Sequence, residues 1–173
     1  VVDPIDGTRA FIEGKEGWGI SIGLAEAGRI VAAAVALPAR GELYAAAEGL
    51  GAVLDGHPIR ASGRRVLEGA ETLAPRPHLE ARHWPGGVPP VRRSFRSSLA
   101  WRLCLAACGD VDAMLTLRDA WEWDIAAGAL VAAEAGALVT DREGAPLRFN
   151  APRPLAPGVI VAPSALHAEF VRR

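Results

Sequence analysis

Apolar residues in this chain come in short runs set off by turn residues. Val1-Val2 runs into Asp3-Pro4, and Gly7 then opens a helix-favouring stretch, so the start reads as strand, sharp turn and short helix from about residue 8 to 13. Between Trp18 and residue 54, apolar segments at 19–25, 29–37, 42–47 and 51–54 are broken by Ala27-Gly28, residues 38–41 and Glu48-Gly49. That spacing predicts an antiparallel meander. Many of its residues are alanine, a helix former, so the strand reading rests on segment length and punctuation. Asp55-Gly56-His57-Pro58 predicts one more turn.

Residues 61–90, rich in Gly, Pro, Arg and His, read as a crossing between two subdomains. Beyond them, 97–108 has helical spacing, with Leu99, Leu103, Ala106 and Ala107 on one side and Ser97 or Ser98 able to cap it; Gly109 ends it. Residues 112–117 predict a strand, 123–135 a buried helix closed by Gly136, and 137–141 and 158–162 two more strands, with a last helix from about Ser164. Without internal repeats, this alternation predicts a layered α/β or α+β fold. The boundaries follow: 1–60 as an N-terminal subdomain, 61–90 as the crossing, and 91–173 as a smaller C-terminal α/β subdomain.

Composition narrows the class. Half of the 173 residues are apolar and 23% are charged, as in globular proteins, and no apolar run reaches the roughly 18 residues of a membrane span. A net charge of −1 gives no reason to expect a nucleic-acid polymer as partner, whereas a small anionic substrate is compatible with it. Cys104 and Cys108, four apart on a predicted helix, read as a free, buried, reduced pair, which fits a cytoplasmic location. Val1-Val2 reads as the end of a buried strand, so the start is expected to be cut rather than natural.

The chemistry concentrates in Asp3-Pro4-Ile5-Asp6-Gly7-Thr8. Two carboxylates and an exposed carbonyl in one turn suit a hard divalent cation such as Mg²⁺, which takes oxygen ligands. Pro4 fixes the bend, Gly7 lets a ligand approach the main chain, and the N–H groups of Gly7 and Thr8 open a helix and can receive phosphate oxygens. The plain alternative is an ordinary turn and helix cap. Haloacid dehalogenase-like phosphatases also end a strand in an Asp-x-Asp-Gly-Thr turn, but their acids are one residue apart, not two, which argues against an aspartyl-phosphate here. Far downstream, Asp124 opens the second predicted helix; alone it reads as an N-cap.

Together these segments resemble the inositol monophosphatase superfamily, whose pattern is a strand, Asp-Pro-Ile/Leu-Asp-Gly-Thr, and later Trp-Asp-x-Ala-Ala-Gly followed by Glu-Ala-Gly-Gly. The chain has Trp123-Asp124-Ile125-Ala126-Ala127-Gly128 and then Glu134-Ala135-Gly136-Ala137, with Ala in place of the last Gly. Gly49-Leu50-Gly51-Ala52 and the turn after it, and Ala107-Cys108-Gly109 before Asp112, extend the likeness nearly end to end.

The resemblance implies a layered sandwich of the sugar-phosphatase type and an Mg²⁺-dependent phosphomonoesterase acting on a small phosphorylated metabolite. It implies that Asp3 bridges two ions, that the Ile5 carbonyl holds the first, and that Asp6 and Asp124 complete the second. Gly7 and Thr8 would hold the phosphate, and Thr8 would orient an attacking water activated by two or three cations. The upstream Gly-Glu-Glu helix and earlier Asp of the family pattern are not in the sequence, so weak metal binding and poor turnover are expected, down to a non-catalytic metal- or phosphate-binding fragment. Where inositol phosphatases usually carry a Glu, the chain has Leu117, then Arg118. That departure, with Ser97-Ser98-Leu99 and Glu122-Trp123-Asp124, leans toward the bacterial 3′(2′),5′-bisphosphate nucleotidases and adenosine 3′,5′-bisphosphate, with inositol 1-phosphate as the alternative. Arg118 or Arg96 could pair with a second phosphate, and Trp121 could stack on a base, against the ordinary readings of solvated charge and packing. Relatives in the family are often dimers; the sequence leaves the oligomeric state open.

Overall fold

The computed structural model describes residues 1–173. β1 (Val2–Asp6) leads into α1 (Thr8–Ile12), and the meander follows as β2 (Gly19–Glu26), β3 (Arg29–Leu37), β4 (Glu42–Ala47), β5 (Gly51–Leu54) and β6 (His57–Pro58). These six strands pair antiparallel in chain order. The alanines of β3 stay extended because each pairs on both sides, with β2 and with β4, so sheet context overrides their helix preference. Asp55-Gly56 makes the expected turn, and His57 and Pro58 then continue as a two-residue edge strand, where a proline lacking its N–H is tolerated.

Within residues 61–90, read as a crossing, lies β7 (Glu71–Leu73), followed by short 3₁₀ turns at Arg76–Leu79 and Ala81–His83. Next come β8 (Arg92–Ser94), α2 (Leu99–Ala107), β9 (Ala113–Thr116), β10 (Ala120–Trp121), α3 (Glu122–Glu134), β11 (Leu138–Thr140), β12 (Leu155–Ala156), β13 (Val159–Ala162) and α4 (Ser164–Val171). The second sheet runs β11-β13-β9-β7-β8, with β7 parallel to both neighbours and the other pairs antiparallel; β10 and β12 form a separate pair.

The layers follow from which face each strand buries. α3 packs on β2, β3 and β4 and against α2, while α2 touches β9 and β13, so the helix pair lies between the two sheets. Along β9 and β13, Met114, Val159 and Val161 enter this core, while Ala113, Leu115, Ile160 and Ala162 enter a second one with Trp84, Leu166 and Phe170. That alternation is the two-residue period of a strand covered on both sides. α2 is buried all round rather than on the single face its spacing suggested, because α3 and both sheets enclose it. The helices approach closely at Gly128, where a Cβ would stand 2.6 Å from that of Leu103. The first sheet leaves its outer face open and apolar, with Val2, Ile22, Leu24 and Leu43 exposed.

Candidate metal centre

In a regular strand, side chains three apart point to opposite faces. Asp3 pairs with Ser21 and Asp6 with Gly19, so β1 spends one residue more than β2 over this step, a bulge at Pro4-Ile5. The extra residue resets the phase and turns both carboxylates to the same side. Asp3 is 9% exposed and Asp6 6%. Asp3 Oδ1 accepts the Ile5 N–H at 2.9 Å, and the Thr8 hydroxyl donates to the Ile5 carbonyl at 3.0 Å, closing the turn from both sides. Gly7 turns the chain into α1 at φ 86°, ψ 36°.

Asp124 meets them from the opposite wall. It is not an N-cap: Trp121 precedes the helix without a side-chain cap, and Asp124 stands in the first turn of α3. Ser21, the pairing partner of Asp3, donates its hydroxyl to the Trp123 carbonyl at 3.2 Å and so fixes this turn against β2. One carboxylate oxygen each from Asp3, Asp6 and Asp124 lies within 4.8 Å of the others.

Three acids this close repel. Burial first, then the charge of Asp6 and the hydrogen bond and charge of Asp3, push the Asp124 carboxyl up to about 7, with Arg118 pulling the other way. Burial also raises Asp6, against hydrogen bonds from Ser98, Ala100 and Leu99. Oxygen donors converging from two walls, with charge that needs neutralising, fit a hard divalent cation.

The sequence reading missed the support of Asp6. Ser98 is the N-cap of α2, accepting the Trp101 N–H at 2.9 Å, and the same hydroxyl donates to Asp6 Oδ2 at 2.5 Å. The Ala100 N–H reaches the same oxygen at 2.6 Å, so the start of α2 holds the carboxylate. Ser98 was legible as a cap but not as a partner 92 residues away from Asp6. The Gly49-Leu50-Gly51 and Glu134 signatures also turn out to be one contact: Glu134 accepts the N–H groups of Gly49 at 2.9 Å and Gly51 at 2.8 Å, pinning the β4–β5 turn to the end of α3. Glu122, 2% exposed, accepts from the N–H groups of Asn150 and Ala151.

Arg118 is exposed yet near enough to act on Asp124. Arg96 instead lies over the Trp101 ring, 5.7 Å from its centroid, and donates to the Phe95 carbonyl. Trp121 is half exposed and stacks on Trp123 at 4.8 Å and 7°. Cys104 and Cys108 are free, the first buried and the second half-buried.

Leu117 gives its backbone N–H to His78 Nδ1 at 3.1 Å, so His78 is a neutral acceptor. Burial, with the charges of His83, Arg118 and Arg102, holds it down at about 4. A depressed histidine pKa favours the folded state above the unfolded value near 6.5 and loses that support as pH falls toward 4. Replacing His78 by Gln should flatten the loss of stability between pH 6.5 and 4, by about 1–3 kcal/mol, in urea unfolding followed against pH. An unchanged acid slope would show that His78 does not govern it.

The model of the inositol monophosphatase family matches residues 1–173. An inositol-1-monophosphatase of Rhizobium meliloti is 37% identical over 99% of this chain and 65% of its own length. A Nus factor SuhB of Pseudomonas aeruginosa is 38% identical over 83% of this chain and 56% of its own. The crystal structure of an extragenic suppressor protein SuhB from Bartonella henselae superposes with a TM-score of 0.80 at 33% identity, covering 99% of this chain and 69% of that one. The chain thus spans under two thirds of the length of the curated relatives it matches.

Proposed function

The chain belongs to the inositol monophosphatase family, and from that premise we propose that it carries the metal- and phosphate-binding part of an Mg²⁺-dependent phosphomonoesterase acting on a small phosphorylated metabolite. The observation that supports the reading is the convergence of Asp3, Asp6 and Asp124 beside the opening of α1. In this reading the carboxylates of Asp3, Asp6 and Asp124, together with the Ile5 carbonyl, would hold the cations. Bound cations supply Lewis acidity toward the ester and toward water. The chain does the rest. Ser98 and Ala100 keep Asp6 in place through one oxygen. Thr8 spends its hydroxyl proton on the Ile5 carbonyl, which leaves its lone pairs to accept from an attacking water. Gly7 and Thr8 present main-chain N–H groups to phosphate oxygens.

Members of the family act on small phosphorylated substrates; the finer identity is part of the proposal. The Rhizobium relative is named for inositol monophosphate, and no relative above is named for adenosine 3′,5′-bisphosphate, so the lean toward a nucleotidase draws no support from them. Leu117, whose backbone is engaged with His78, offers no polar side chain for a sugar hydroxyl. Trp121 is already stacked on Trp123, and that pair is the surface an aromatic base would meet. No helix is long and apolar enough to cross a membrane; a cytoplasmic location is proposed from the two free cysteines.

Inorganic phosphate should bind the chain only when Mg²⁺ is present, measured by calorimetry, and Mg²⁺ alone should raise the melting temperature. Phosphate binding that ignores Mg²⁺ would sink the reading. Phosphate release from inositol 1-phosphate, adenosine 3′,5′-bisphosphate and fructose 1,6-bisphosphate then ranks substrates, and binding without release from any of them would favour a non-catalytic metal- and phosphate-binding unit.

A further inference from the structure

We propose that a cavity at the edge of the second core, lined by none of the three acids, is a regulatory site for a small organic acid with an apolar ring or chain, and that its occupancy is felt at the metal centre through Leu117 and Arg118. The regulatory role rests on the metal-site reading; the binding of the acid does not.

The cavity has a volume of about 460 Å³, within the range of small-molecule sites, and opens between α4, the end of β9 and the loop after β11. Its floor is apolar, made by Trp84, Ile160 and Phe170, all buried in the second core. Trp84 spends its indole N–H on the His78 carbonyl at 2.8 Å, so it shows the cavity only ring surface. The Trp84 and Phe170 rings stand 6.2 Å apart, centre to centre. Such a floor buries a ring or a short chain.

The rim carries Arg142, Arg173 and one acid, Glu143. Arg173 belongs to none of the ion pairs in the structure. Its Nη1 donates to the Gly87 carbonyl at 3.3 Å, while its Nε is buried with no hydrogen-bond partner. A buried donor without an acceptor is unfavourable, and a carboxylate oxygen relieves it. Arg142 already pairs with Asp119, so Arg173 brings the one uncompensated positive charge, and a dianion would be repelled by Glu143. A monocarboxylate therefore suits the rim better than a phosphate.

Arg142 joins the cavity to the metal centre. Its Nη1 donates to the Leu117 carbonyl at 2.9 Å and to Asp119 Oδ1 at 3.1 Å, while His78 Nδ1 holds the Leu117 N–H. Gly158 lets the side chain pass: a Cβ there would stand 3.2 Å from that of Arg142 and 3.4 Å from the Leu117 Cα. Arg118 sits between the two residues that Arg142 grips, and its charge acts on Asp124. An organic acid at the rim competes with Asp119 for Arg142, which loosens residues 117–119 and lets Arg118 move away from the acids. A positive charge beside the cluster opposes Mg²⁺, so its withdrawal tightens metal binding. Linkage makes the effect reciprocal.

Calorimetry at pH 8 with 3-phenylpropionate and its neutral amide, 3-phenylpropionamide, tests the site, first without Mg²⁺. The acid should bind about tenfold tighter than the amide. Arg173→Met should bring that ratio close to one, and Val171→Trp, which fills the cavity from α4, should abolish binding of both while still unfolding cooperatively. Equal affinities in the parent, or an unchanged ratio in Arg173→Met, would overturn the site. Saturating 3-phenylpropionate should then tighten Mg²⁺ binding about fivefold in the parent and not in Arg173→Met, which separates the cavity from capture of the acid by the metal itself. Arg142→Met should bind Mg²⁺ as tightly as the liganded parent and no longer respond to the acid. Binding of the acid with no change in Mg²⁺ affinity would overturn the regulatory role and leave the metal-site reading standing. A parent that binds the acid but takes up no Mg²⁺ would remove the metal-site reading and the regulatory role together.

Discussion

Replacing Asp124 by Asn should make the metal-free protein more stable at pH 8 and leave it unresponsive to Mg²⁺. The two effects share one cause. Asp124 is held near Asp3 and Asp6, and its carboxyl is pushed up to about 7 by burial and by those neighbours. A carboxylate whose folded pKa exceeds its unfolded value opposes folding once both states are ionised. The penalty is absent below about pH 4, grows as pH rises toward 7, and is full above it. For a half-buried group it amounts to roughly 1–3 kcal/mol, which Asn removes. In the parent a cation reverses the balance, because the crowding that penalises the empty cluster becomes ligation. At Mg²⁺ a hundredfold above its dissociation constant, linkage gives about 2.7 kcal/mol of added stability. Urea unfolding at pH 5 and pH 8, with and without Mg²⁺, separates the terms. The variant should gain at pH 8, gain little at pH 5, and show no Mg²⁺ shift at either. A variant that loses stability at pH 8 would mean that Asp124 serves the fold rather than a cation.

What was legible in the sequence divides along a physical line. The meander could be read because its punctuation is local: Ala27-Gly28, Pro38 to Gly41 and Glu48-Gly49 each end a strand wherever the rest of the chain goes. β7 could not. Glu71-Thr72-Leu73 is three residues long, in a stretch full of Gly and Pro, and becomes a strand because β8 and β9 flank it. The same division runs through the site. Asp3, Asp6 and Asp124 stood out because carboxylates in a strand-to-helix turn and at a helix start have chemistry of their own. Their supports lack that signature. Ser98 reads as any helix cap, and that it also holds Asp6 is decided by how α2 packs beneath β1. Asp124 was itself open to an N-cap reading, which fails because the helix begins two residues earlier, at Glu122.

The turn that joins these parts is sensitive to one atom, and Gly7→Ala should lower stability by about 2–4 kcal/mol while weakening the Mg²⁺ response. Part of the loss is conformational: at φ 86° an alanine is held in the left-handed region, at roughly 1–2 kcal/mol. The remainder is contact. A Cβ on Gly7 would stand 2.8 Å from the Gly17 carbonyl oxygen and 3.3 Å from both Cα and Cβ of Ser98. All but the last are main-chain atoms, so relief requires moving the backbone, and Ser98 carries the hydroxyl that fixes Asp6. Gly14→Ala separates the two parts. Gly14 also has a positive φ, 65°, but a Cβ there would meet nothing within 4 Å. Urea unfolding should therefore give Gly14→Ala only the conformational loss, with its Mg²⁺ shift intact, and Gly7→Ala a larger loss with a reduced shift. Equal losses for the two variants would show that α2 yields freely at Ser98, and that the contact between the Asp3–Thr8 turn and α2 does not hold the metal ligands in place.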